Sequence, residues 1–214
     1  NRSRANSNTK RRGNIVLNRQ KDQGDTQLII ALQVQFFDKL QEDIVALLKV
    51  NKIDNLEFEY ILVITVFTSN KKNKKKNNGI PHIHLIKIKD PQTLLFSLKK
   101  SKLLKYVTHI ELDNESDEFS ISLDGVIETY HPCISNERNQ FIWWMSEVRR
   151  YYALPTLTIN HFDINIVNKI ATTILHRYRE GKYHALNTVQ EQLLLVHDNN
   201  EATEQVISDD EEDE

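Results

Sequence analysis

The chain has 214 residues, 39% of them apolar and 27% charged, which is enough for one packed domain with solvated flanks. No apolar run approaches the roughly 18 residues of a membrane span, no secretory signal pattern is visible, and a single cysteine, Cys133, excludes an internal disulfide. The net charge of −2 conceals blocks: seven basic and no acidic residues in 1–21, eleven lysines against Asp90 in 71–105, and six consecutive acids at 209–214, without which the net charge would be +4. Such blocks mark solvated tails and interaction surfaces. The lone thiol fits a reducing, cytosolic setting and is given no catalytic role. Beginning at Asn1 without an initiator methionine, the chain reads as a fragment of a longer protein.

Residues 1–25 are polar and basic and read as a disordered arm, because their composition does not repay the entropy of ordering. Leu28, Ile29, Leu32, Phe36, Leu40, Ile44 and Leu47 recur at three and four, the spacing of a helix of about five turns. Its end is open, since Val45–Ile53 equally reads as the start of a strand. Phe58–Thr68 is a buried strand by its β-branched and aromatic content. Asn70–Gly79 is a lysine-rich hairpin loop, and His82–Lys89 is the return strand, stopped by Asp90-Pro91. A short helix is expected over Gln92–Lys100, then strands at Tyr106–Leu112 and Glu118–Leu123. Asp124-Gly125 is a two-residue turn requiring positive φ, so Val126–His131 should pair back as a hairpin.

Residues 135–152 hold both tryptophans and the single methionine. Ser135 is the expected N-cap, and Glu137 sits where the helix dipole favours an anion. Phe141, Trp144, Met145, Val148 and Tyr152 form one apolar stripe, with Glu137, Arg138, Arg149 and Arg150 largely off it. That stripe reads as core, the lid over the preceding strands; Ile142 and Trp143 lie off it and could support a partner contact. Leu154-Pro155 ends the helix. Asp163 can cap a second helix with Ile164, Val167, Ile170, Ile174 and Tyr178 on one side, ending near Gly181. Residues 186–196 could form a further short helix. The fold class expected is α+β: a small antiparallel β-barrel or roll capped by a C-terminal amphipathic helix, with flanking helices. The organisation expected is an arm at 1–25, the barrel domain with its N-terminal helix at 26–153, a helical extension at 154–198 and an acidic disordered tail at 199–214.

The lysine run Lys71, Lys72, Lys74, Lys75 and Lys76 admits two readings. One is a solvated hairpin tip; the other is an anion-binding surface that Lys87 and Lys89 extend, with Lys99, Lys100, Lys102 and Lys105 beyond them. Near an anionic leaflet the five loop lysines would supply up to ~5 kcal/mol, enough for reversible docking. Nucleic acid is not an expected partner, because Asn70–Lys89 lacks aromatics to stack on bases, save His82 and His84. Those two histidines share one strand face but have no third ligand nearby in sequence. They read as surface residues beside the basic patch, and no metal or cofactor is expected. His161 and His176 read as ordinary loop or helix residues. No phosphate-cradling glycine loop, nucleophile elbow or metalloprotease motif occurs, so no enzymatic activity is expected.

The basic hairpin, the strand meander and then Ser-Asn-Glu-Arg-Asn-Gln-Phe-Ile-Trp-Trp-Met as closing helix resemble the pleckstrin-homology-like N-terminal domain of the exocyst's Sec-three subunit. That family has a Glu-Arg or Glu-Lys pair before a Phe-Ile-Trp type helix, here Glu137-Arg138 and Phe141-Ile142-Trp143. A following segment like Pro-x-Leu-x-x-x-x-Phe/Trp-Asp is here Pro155 to Asp163. The resemblance covers roughly residues 27–165. It implies binding of phosphatidylinositol 4,5-bisphosphate at the inner plasma membrane and of a Rho-type GTPase. It also implies assembly with other exocyst subunits and a cytoplasmic, membrane-peripheral place at sites of polarised secretion, where vesicles are tethered for exocytosis. The lipid-binding cations would map to Lys87 and Lys89, with the loop lysines adding diffuse attraction. The family's basic residues at the start of the preceding strand are here Glu57 and Glu59. The alternative is a protein-interaction module of the same barrel class without lipid binding.

Overall fold

The computed structural model describes residues 26–67, 79–113 and 115–179. Residues 26–32 form helix α1, and the helical path continues as a π-helical turn over Gln33–Phe37 and a 3-10 turn over Asp38–Leu40. Gln41, at φ 56°, then reverses the chain. Gln33 fixes this corner. Its Nε2 donates to Asp38 Oδ1 at 3.0 Å and to the Glu42 carbonyl at 2.6 Å, while its Oε1 accepts from Ile44 N at 3.3 Å.

Among the described residues eight strands follow the corner: β1 (Glu42–Lys52), β2 (Asn55–Phe67), β3 (His82–Asp90), β4 (Leu95–Leu103), β5 (Val107–Leu112), β6 (Phe119–Leu123), β7 (Val126–Pro132) and, after the long helix, β8 (Thr158–Asn160). They form one sheet in the order β4-β3-β2-β1-β7-β6-β5-β8. Neighbours are antiparallel except β5 and β8, which run parallel from His109↔Thr158 to Glu111↔Asn160. The fold is therefore α+β on a large, mostly antiparallel sheet, and β4 does not pair with β5 to close it into a barrel. The sheet curls instead. Lys100 on β4 reaches Glu128 on β7 at 2.9 Å, and Lys102 reaches Asp124 at 2.8 Å, so the β4 edge stands over the β6–β7 hairpin. Asp124 (φ 57°) and Gly125 (φ 78°) form the expected positive-φ turn of that hairpin.

Alternation along the strands serves two cores. Leu48, Val50, Leu62, Ile64, Ile83 and Leu85 face a large core shared with β5–β7 and helix α2 (Ser135–Tyr151). Ile61, Val63, Ile86 and Phe96 face a smaller one, closed by Leu28, Leu32 and Phe37 of the N-terminal helical segment. A mid-sheet strand buried on both faces reads as a continuous apolar run, which is how Tyr60–Val66 reads.

Three sequence expectations are corrected here. The helix does not run to Leu47: it ends at Leu40, and Ile44 and Leu47 belong to β1. A register shift between Ile44 and Ala46 puts one extra residue into β1, so Ile44 and Leu47 reach the same small core three positions apart and imitate helical spacing. The expected short helix at Gln92–Lys100 is instead a turn and β4. Asp90 shapes that turn, accepting from Gln92 N at 2.9 Å and Thr93 Oγ1 at 2.7 Å, and a register shift opposite Leu85/Ile86 again blurs the period of two. The N-cap position of α2 is Ile134, not Ser135, and it makes no side-chain capping bond.

Helix α2 is covered on more than one side. Phe141, Ile142, Trp143, Trp144 and Met145 are all at most 2% exposed, so Ile142 and Trp143 are core and not a partner surface. The second cover is the segment after Pro155: β8, and helix α3 (Ile164–Arg179), whose Ala171 and Ile174 are buried in the same core. Asp163 Oδ1 accepts from Asn165 N at 2.8 Å, as a cap of α3 should. Truncating any one of these buried aromatics to alanine would cost about 3–5 kcal/mol.

Arg138 and Arg149, read from the sequence as largely off the apolar stripe, are nevertheless buried. Arg138 Nη1 donates to the carbonyls of Asp113 (2.9 Å) and Glu118 (3.1 Å), pinning the β5–β6 connection. Arg149 Nη1 donates to those of Leu104 (2.6 Å) and Val107 (2.9 Å), and its Nη2 to that of Pro155. A guanidinium has five donors in a fixed fork, so one residue can satisfy several buried carbonyls that a loop leaves unpaired.

Candidate functional site

Two residues of the expected lipid site, Lys87 and Lys89, fall within the described structure; Lys71, Lys72, Lys74, Lys75 and Lys76 lie outside it. The described pair are two apart on β3 and therefore share a face, the one that Ile83 and Leu85 turn to the large core. They sit near the end of β3 that leads into β4, whereas the lysine-rich connection joins its beginning. At about 3.3 Å per residue, five to seven residues of strand separate the two places by roughly 17–23 Å.

The end that carries Lys87 and Lys89 is shaped by the β1–β2 and β3–β4 turns, which lie side by side because β2 and β3 pair from Tyr60↔Lys87 downward. Apolar side chains are exposed there: Ile53, Leu56 (66%), Phe58 and Leu95 (47%). Lys87 Nζ lies over the Phe58 ring, 2.9 Å from its centroid, and Lys89 is exposed. The acids that occupy the start of β2 are partly turned away. Glu59 lies on the opposite side of β2 from Phe58 and Tyr60, close enough to Cys133 to help hold that thiol's pKa up, after burial, the larger cause.

Other lysines of the expected basic surface are engaged elsewhere. Glu128, half-sunk between β1 and β4, is paired with Lys52 and with Lys100, and it accepts from Tyr130 Oη at 3.0 Å. Burial alone would raise the Glu128 carboxyl; the bonds from Lys52 and Lys100 outweigh it and hold the group below the usual carboxylate range. Lys102 is paired with Asp124. These cations tie the curled edge to the β6–β7 hairpin.

A second cluster was not visible in the sequence. His84 is 1% exposed and His82 is half-buried, so neither is the plain surface residue expected. The even positions of β3 from 82 to 88 face the smaller core under α1, and His84 packs against Phe37 with ring centroids 4.8 Å apart. Glu42, from the start of β1, lies between them. His82 Nδ1 is 3.1 Å from its Oε1, and His84 Nε2 is 3.2 Å from its Oε2. Thr65 Oγ1 donates to Glu42 Oε2 at 2.6 Å and is 2.8 Å from His84 Nε2. With the hydroxyl proton spent on Glu42, His84 Nε2 is left to act as the donor toward Thr65 Oγ1. Burial would raise the Glu42 carboxyl, but the close approach of His82 and His84 and the bond from Thr65 outweigh it and hold the group far below the ordinary range.

A broad hollow of ≈ 470 Å³ lies between β5, β6 and β7, lined by Glu111, Asp113, Glu115, Glu118 and His161 among others. Its four carboxylates give it the wrong sign for a phosphate headgroup. No family model matches the chain, and none of the curated proteins matches it. Among the described residues no helix is long and apolar enough to cross a membrane.

Proposed function

We propose that this chain is a membrane-recruitment module that docks on the anionic, phosphoinositide-bearing leaflet of the plasma membrane. The observation that carries the reading is the pairing of cations with exposed apolar tips at one end of the sheet: Lys87 and Lys89 beside Ile53, Leu56, Phe58 and Leu95. Each lysine near an anionic surface contributes about 1 kcal/mol. A leucine fully buried at the acyl boundary adds roughly 1.5–3 kcal/mol. Two of each give a reversible membrane association, which the loop lysines would strengthen. The antiparallel order β4-β3-β2-β1-β7-β6-β5 with α2 laid against its concave side supports a pleckstrin-homology-like reading of the curled sheet. On that reading, and with the resemblance of 135–163, the lipid is phosphatidylinositol 4,5-bisphosphate. A Rho-type GTPase is the accompanying partner, and the module helps to place the exocyst where vesicles are tethered.

An environment-sensitive fluorophore tests this geometry. Attached to Leu56→Cys in a Cys133→Ser background, it should shift to the blue on vesicles containing the inositide. The same label at Ile166→Cys, an exposed site on α3, should not. No shift at position 56, or equal shifts at both, overturns the reading.

The second reading is a protein-interaction module without lipid binding. It is favoured by the β6–β7 hairpin, where Val126 and Ile127 (70%) are exposed side by side. A GTPase pull-down lost in Ile127→Asp, with vesicles inert to the wild type, would select it.

A further inference from the structure

The Glu42–Thr65–His82–His84 cluster at the root of the β2–β3 hairpin plays no part in membrane docking. We propose that Glu42, His82 and His84 form a binding site for a divalent transition metal of the zinc class. The three side chains offer ligand atoms that all lie within 4.8 Å of one another. Zinc holds nitrogen and carboxylate oxygen at about 2.0–2.1 Å, which sets neighbouring ligands of a tetrahedron about 3.3–3.4 Å apart. The contacts of 3.1 Å and 3.2 Å from the Glu42 oxygens to His82 Nδ1 and His84 Nε2 are within a few tenths of an ångström of that edge.

Spacing of this kind also suits a hydrogen bond, so a second observation matters. His82 Nδ1 is buried and, although close to Glu42 Oε1, makes no hydrogen bond. A shielded ring nitrogen beside a carboxylate oxygen is an arrangement a cation completes. Thr65 Oγ1, 2.6 Å from Glu42 Oε2 and 2.8 Å from His84 Nε2, lies against both ligand atoms and helps to orient them. Binding requires His84 to carry its proton on Nδ1 in place of Nε2. That nitrogen has no hydrogen-bond partner and sits in the His84 ring packed against Phe37, a weak acceptor for an N–H through its π face. Two imidazoles and one carboxylate suit zinc, cobalt or copper over magnesium or calcium, with water in the remaining position. Bound there, the metal would cross-link the start of β1 to the start of β3.

The test uses the full chain and cobalt(II) or zinc(II) alone. Cobalt should produce the visible absorption of a low-coordinate site at one equivalent, zinc should displace it, and zinc should raise the melting temperature. His82→Ala, at a half-buried position, should abolish all three effects, as should Glu42→Gln. Thr65→Val should weaken affinity about 10–100-fold. His109 and His161 flank Glu111 at 3.0 and 3.1 Å on the surface and provide the control. A His109→Asn/His161→Asn variant should bind as the wild type does. Absence of a cobalt spectrum, or its loss in the surface variant with retention in His82→Ala, overturns the proposal.

Discussion

The ammonium of Lys87 rests on the ring of Phe58, 2.9 Å from its centroid, at the end of the sheet where the β1–β2 and β3–β4 turns meet. The ring fixes the height of the charge among exposed apolar tips. A cation on an exposed aromatic face gains about 0.5–1 kcal/mol, a factor of roughly two to five in affinity if that placement is what the membrane reads. Phe58→Ala should therefore weaken binding to inositide vesicles by about that factor, and by more where ring insertion also contributes. Co-sedimentation measures it; an unchanged affinity would show that the ring only props the lysine in solution.

Glu128 draws Lys52 and Lys100 inward. Glu128→Ala removes one negative charge and releases two positive ones beside the proposed docking end. Vesicle affinity should rise, by about 1 kcal/mol per cation that reaches the surface. Thermal stability should fall, because the curled edge loses its tie to β7. A loss of stability with no change in vesicle affinity would place this network away from the membrane.

Arg149 is the most buried cation of α2 and has carbonyl partners in three different segments. Arg149→Met keeps the volume and strands those carbonyls, at a cost of roughly 3 kcal/mol or more. Arg149→Lys should recover little, since an ammonium lacks the fork that reaches Leu104, Val107 and Pro155 together. Urea midpoints decide this; a lysine variant as stable as the wild type would contradict the assignment.

Acid should loosen the β1–β3 root through Glu42. Its pKa in the fold is lower than in the unfolded chain, so its contribution is complete above the unfolded value and fades as pH falls toward the folded one. With about 4.3 for an unfolded glutamate, the loss begins near pH 5 and deepens below it. Glu42→Gln should be less stable at neutral pH and show a shallower decline below pH 5. Denaturant midpoints at pH 7, 5, 4 and 3 test the sign; parallel declines in the two proteins would refute it.

The strands and the aromatic helix were legible because their signals are local. Phe58–Thr68 shows its β-branched run, Asp124-Gly125 shows its turn, and Phe141 to Val148 shows its stripe. What failed was periodicity across bulges. The extra residue near Val45 gave Ile44 and Leu47 a helical spacing on a strand, and an extra residue at Lys99 interrupts the alternation of β4. The second cover of α2 was hidden because a three-residue strand after a proline has no pattern of its own. The site divided in the same way. Lys87 and Lys89 stand out by charge, but Glu42 meets His82 and His84 across 40 residues of chain, and only the pairing of β1 with β2 and of β2 with β3 brings them together.

Co-sedimentation of the whole chain with vesicles containing phosphatidylinositol 4,5-bisphosphate, run against salt, tests the central claim most directly. The account expects binding that weakens as salt rises and is lost when Lys87→Glu and Lys89→Glu are combined. A further decrease that persists at high salt is expected on adding Leu56→Asp. Failure of the wild type to sediment at any salt, or undiminished sedimentation of the charge-reversed protein, would contradict it.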